Sequence, residues 1–136
     1  MPRIRRHAPA ATAAVTLMAL AAPAGAQDDG DADAGVAVFV ENCAACHSIE
    51  AGEHGEGPSL AGLVGRPAGT AEGYDYSAQL ADAGFDWSTT RLEEYLRIPT
   101  QDHSGDQMFH AVDMQFDSLD RQSIADLLAF FTLLDE

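Results

Sequence analysis

Apolar residues recur at helical spacing in three stretches of the 136-residue chain. In the first, Val36, Phe39, Val40 and Cys43 stand three and four apart, which predicts an amphipathic helix over 35–42. In the second, Ser88 is placed to cap a helix whose Leu92, Tyr95 and Leu96 share one face, and Pro99 ends it. The third carries the strongest stripe: Ile124, Leu127, Leu128, Phe131 and Leu134 fall on one face, with Asp117 or Ser118 opening the helix and Leu119 in its first turn. A shorter run from Ser77 to Ala83 reads as a small helix stopped by Gly84. No strand pattern of useful length appears, so the expected fold is all-α.

The amino terminus has a different pattern. Arg3, Arg5 and Arg6 precede a small-residue apolar stretch from Ala8 to Ala22, too short to span a bilayer, and Ala24-Gly25-Ala26 fits the small-x-small cleavage rule. Residues 1–26 therefore read as a signal peptide cleaved after Ala26, which directs the mature chain to the periplasm with no stable membrane insertion. Residues 27–34, rich in Asp, Gly and Ala, have little to bury and read as an acidic flexible tail. A single domain over 35–136 remains.

Charge narrows the partners. Three of the seven arginines lie in the leader, all 22 acidic residues follow it and there is no lysine, so the mature chain has a formal charge of −18. Nucleic acid and anionic membrane surfaces are excluded as natural partners. Such a surface suits either high salt or a basic docking partner. The carboxylates form no recognisable acid/base constellation, so an enzyme is not expected.

One motif concentrates the chemistry. Cys43-Ala44-Ala45-Cys46-His47 is the attachment signature of c-type haem, in which two cysteines form thioethers at one porphyrin edge and the following imidazole ligates the iron. A Cys-x-x-Cys pair also serves thiol exchange and zinc. Exchange chemistry expects a strand-rich setting, and structural zinc expects two further ligands; the chain has only two cysteines. A small domain also gains much of its core from a large apolar cofactor.

From about Gly35 to Leu134 the sequence resembles the class I cytochromes c. The resemblance is carried by Gly35-x-x-x-Phe39-x-x-x-Cys43-x-x-Cys46-His47, Gly57-Pro58-Ser59-Leu60-Ala61-Gly62-Leu63-Val64-Gly65-Arg66, Gly73-Tyr74-Asp75-Tyr76-Ser77, Trp87, Leu92-Glu93-Glu94-Tyr95-Leu96, Met114-Gln115-Phe116 and the run from Ala125 to Phe131. It implies three to five helices around one covalent haem c, with the terminal helices crossing at Gly35 and the Phe130-Phe131 end. It further implies that the Pro58 carbonyl accepts a hydrogen bond from His47, that Arg66 lies near the haem propionates and their surrounding backbone, and that Tyr76 and Trp87 bond to a propionate. His54, between Gly and Glu, is expected to be solvated.

The sixth iron ligand decides the function. Counted forward from Pro99, the family's shorter members place Gly and Met where Gly105 and Met108 stand, whereas Met114-x-Phe116-x-x-Leu119 before the closing helix resembles the family's own Met-x-Phe-x-x-Leu and favours Met114. Met114 is the expected ligand and Met108 the alternative, with His103, His110 or an open site behind them. The resemblance then implies a soluble electron carrier in a respiratory or photosynthetic chain, cycling Fe(III)/Fe(II), most simply as a monomer. Its partners would be redox proteins: a membrane cytochrome complex, a terminal oxidase, a reaction centre or a periplasmic dehydrogenase. The alternatives are a cytochrome subunit dedicated to one such dehydrogenase, or a haem protein whose open sixth site binds small ligands. Family members commonly dock through lysines, which this chain lacks.

Overall fold

The computed structural model describes residues 29–99, 114 and 116–134; the leader, His103, Met108 and His110 lie outside them. Four helices are present among the described residues: α1 (Ala32–Asn42), α2 (Ala78–Ala81), α3 (Thr89–Arg97) and α4 (Arg121–Leu133). The described residues contain no strand beyond an isolated antiparallel bridge between Pro67 and Asp86. The all-α expectation holds.

Helix α1 begins at Ala32, ahead of the expected start at Gly35. The side chain of Asp31 accepts the amides of Asp33 and Ala34, and the Asp31 N–H donates to the carboxylate of Asp126 at 2.8 Å. Residues 30–34, read as part of the flexible tail, are thus seated on α4; a side chain at Gly30 would collide with the Ala125 carbonyl. The Asp-Ala alternation hides this because it has no apolar period, while its first aspartate supplies a cap.

Helix α4 also starts elsewhere than expected. Its cap is Asp120, rather than Asp117 or Ser118. Asp120 accepts the amides of Gln122 and Ser123 and the Ser123 hydroxyl, at 3.0, 3.1 and 2.6 Å. These bonds, Ser123's foremost, hold its carboxyl below the usual range. Leu119 precedes the helix, and its N–H donates to the Leu96 carbonyl at 2.9 Å.

Helix α3 follows its sequence signals: Ser88 caps it, Leu92, Tyr95 and Leu96 are buried, and Ile98 leaves the helix before Pro99. The core is closed by α1 crossing α4. A Cβ on Gly35 would overlap the Asp126 carbonyl and stand 2.7 Å from the Phe130 Cβ. The missing side chain lets the Phe39 ring approach those of Phe130 and Phe131, with centroids at 5.8 and 6.4 Å. Asp126 is buried in this crossing, satisfied by Asp31 N–H and the Gln122 amide. Between α1 and α3, amides of Gly65, Ala68 and Trp87 donate to the carbonyls of Trp87, Phe85 and Arg66, pinning the two loops together.

Candidate functional site

The cysteine motif continues directly from α1. Cys43 N–H bonds to the Phe39 carbonyl, while the amides of Cys46 and His47 both return to the Cys43 carbonyl, so Cys43 and Cys46 lie on one tight turn. His47 Nδ1 is 2.7 Å from the carbonyl of Pro58. A carbonyl only accepts, so Nδ1 carries the proton and Nε2 keeps a lone pair, the form a metal requires. Gly57 lies hard against the imidazole: a Cβ there would stand 2.7 Å from Nδ1 and overlap Cε1.

His47 opens onto a cavity of about 570 Å³. Cys46, Pro58, Arg66, Tyr76, Trp87 and Met114 all line it, so the structure brings together these residues expected from the sequence. Cys43 is packed against the hydrophobic core instead. Burial pushes its thiol up to about 11. The Cys46 thiol is also raised, chiefly by its hydrogen bond to the Glu56 carboxylate, 3.5 Å away. Among the described residues no group of three or more His, Cys, Asp or Glu side chains is arranged to hold a metal ion, so the zinc alternative finds no further ligands there.

The other predicted residues have definite anchors. Arg66 donates to the carbonyls of Ala61 and Ser59 at 2.8 and 3.0 Å, in line with a role among the surrounding backbone. Its Nε is buried without a partner. The Tyr76 hydroxyl accepts the Ala71 amide at 3.3 Å. Trp87 is buried, edge-on to Phe85 and Tyr95 with centroids at 4.9 and 5.6 Å.

His54 differs from expectation. It is half-buried, its Nδ1 accepting the Ser59 amide and its Nε2 donating to the Glu72 carbonyl, both at 3.0 Å. Neighbouring Gly and Glu made it look solvated, but both its partners are backbone atoms that leave no mark on residue type. Leu63, Leu80, Leu92, Tyr95 and Leu96 also line the cavity. The sequence marked Leu92, Tyr95 and Leu96 only as core, since a helix face that meets a cofactor looks apolar in the same way as one that meets protein.

These residues fit a haem. The cavity joins a cysteine from the attachment motif, an imidazole whose Nδ1 is tied to Pro58, apolar walls and a methionine. The unpartnered Nε of Arg66 offers a donor to an acidic group, and the space that a Cβ would fill at Gly57 is taken by the imidazole.

Comparison with known proteins agrees. Residues 32–134 match the family model described as Cytochrome c. The chain is 39% identical over 115 residues to the cytochrome c2 of Blastochloris viridis, covering 84% of each. It is 44% identical over 80 residues to that of Rhodoblastus acidophilus, covering 58% of this chain and 74% of the relative. Among solved structures, cytochrome cH from Methylobacterium extorquens superposes with a TM-score of 0.62 at 33% identity, over 76% of this chain and 99% of that one. An attachment motif, a cavity suited to haem and a match spanning the folded domain lead to one conclusion: the chain belongs to the cytochrome c family, bacterial c2-like, with one covalently bound haem c.

Proposed function

We propose that the protein is a periplasmic electron carrier in which Cys43 and Cys46 tether the haem while His47 and Met114 ligate its iron. The observation that carries this reading is the joint presence of His47, with its proton held on Nδ1 by Pro58, and Met114 on the wall of one cavity. The bound haem supplies a one-electron ferric/ferrous couple, and a thioether ligand favours the ferrous form. Pro58 orients the imidazole and raises its basicity. Leu63, Leu80, Leu92 and Leu96 exclude water, and Arg66, Tyr76 and Trp87 offer donors to the propionates.

Residues 1–26 act as a cleaved leader in this reading, and among the described residues no helix is long and apolar enough to cross a membrane. The partners are redox proteins of a respiratory or photosynthetic chain, with basic docking faces.

The oxidised protein should show the weak far-red absorption of sulfur-to-ferric-iron charge transfer, and its intact mass should equal the chain from Gln27 plus one haem. Met114→Ala should lose the band while Met108→Ala keeps it. The reverse pattern moves the ligand to Met108; a wild-type spectrum without the band removes both methionines.

A further inference from the structure

The loop that presents Pro58 to His47 is held from outside by a residue with no assigned role. Tyr74 donates its hydroxyl to the carbonyl of Glu56 at 2.6 Å. That carbonyl belongs to the Glu56–Gly57 peptide, whose other end, the Gly57 N–H, donates to the Cys46 carbonyl at 2.9 Å. One peptide unit is therefore gripped on both sides, and its bonds polarise one another in the same direction. The next residue, Gly57, touches the imidazole, and the one after it, Pro58, accepts the Nδ1 proton.

The grip is supported from a second point. His54 ties the Ser59 amide to the Glu72 carbonyl, so the loop is fastened to the 72–74 segment on both sides of Gly57 and Pro58. Aromatic contacts keep the Tyr74 hydroxyl in place: its ring lies edge-on to His54 and Tyr76, with centroids at 5.4 and 4.9 Å. A tyrosine needed only for packing has no reason to place its hydroxyl on this particular peptide.

We infer that Tyr74 is a positioning residue for the axial histidine: it fixes the Glu56–Gly57 peptide and so keeps the Pro58 carbonyl aligned with His47 Nδ1–H, tuning the electron donation of the imidazole. The physical consequence has a sign. A well-aligned acceptor raises the basicity of a ligating imidazole and favours the more oxidised iron; a slack one does the opposite. Loss of the hydroxyl therefore raises the reduction potential. This inference rests on His47 as an axial ligand.

The test uses the haem-loaded full protein. Tyr74→Phe removes one oxygen and retains the ring contacts. Its midpoint potential should shift upward, and the His47 Nδ1 proton, followed by NMR in the reduced protein, should exchange with solvent faster than in wild type. A lowered unfolding temperature with unchanged potential and unchanged proton exchange would reduce Tyr74 to packing and overturn the inference. If Tyr74→Phe does not retain haem, 3-fluorotyrosine at position 74 decides, because its stronger hydroxyl donor should move the potential downward; an unmoved potential overturns the proposal. The parent reading fails differently: a wild-type spectrum without His-ligated c-type haem removes it before Tyr74 is reached.

Discussion

At the scale of single residues, Gly57 shows how much a missing side chain does. Its backbone occupies the space beside the imidazole, so even a methyl group must displace the His47 ring or the loop. Gly57→Ala should cost about 1–3 kcal/mol, the usual range for overpacking, and should lower the fraction of protein isolated with covalent haem; thermal unfolding and haem content identical to wild type would refute the contact. The sequence displays Gly57-Pro58 as a rigid turn, and the turn is real. What the glycine turns against stays hidden, because the imidazole arrives from a residue ten positions away. His54 is the same lesson reversed: its polar neighbours suggested water, while the actual partners are main-chain atoms of residues 59 and 72.

At the scale of elements, agreement follows the number of signals that converge. Helix α3 has a serine cap, an apolar face and a proline beyond its end, and all three lie where the chain uses them. The start of α4 offers three cap-forming residues within four positions, Asp117, Ser118 and Asp120, and local chemistry alone does not rank them. Asp120 is the residue whose carboxylate reaches the first-turn amides and the Ser123 hydroxyl, while Leu119 just ahead of it is tied to α3 through its N–H. The crossing of α1 and α4 was implied by family resemblance at Gly35 and Phe130, and it occurs there. Gly35→Leu should destabilise the domain by about 1–3 kcal/mol or more, with each kcal/mol lowering the unfolding midpoint by roughly 4–8 °C for a domain of about this size. A melting curve superimposable on wild type would count against so close a crossing.

At the scale of the whole molecule, charge is the feature least tied to the fold. Glu56 and Asp75 line the haem cavity and are exposed, while Arg66 directs its terminal nitrogens at carbonyls inside the protein. Arg91 donates to the Asp86 carbonyl and lies 5.3 Å from the centre of the Phe85 ring. A cationic reagent therefore meets an attractive field. Electron exchange with hexaammineruthenium(II) should slow as ionic strength rises toward 0.1 M, where the Debye length falls to about 10 Å. A rate that climbs with salt would reject attraction of basic partners to this surface. Composition alone made the net charge legible; the inward commitment of Arg66 required the fold.

The bond between Asp31 and Asp126 has a consequence in time. It joins residues 95 positions apart, at nearly opposite ends of the domain. As the chain folds, α1 can dock only once the helix carrying residue 126 is in place, and contacts this distant in sequence form late because loop closure must come first. Until then the attachment cysteines sit on an undocked segment, before burial raises the Cys43 thiol. The architecture thereby leaves an interval in which the Cys43 thiol is as open to covalent modification as that of Cys46, and the packing of Cys43 against the finished core brings that interval to a close.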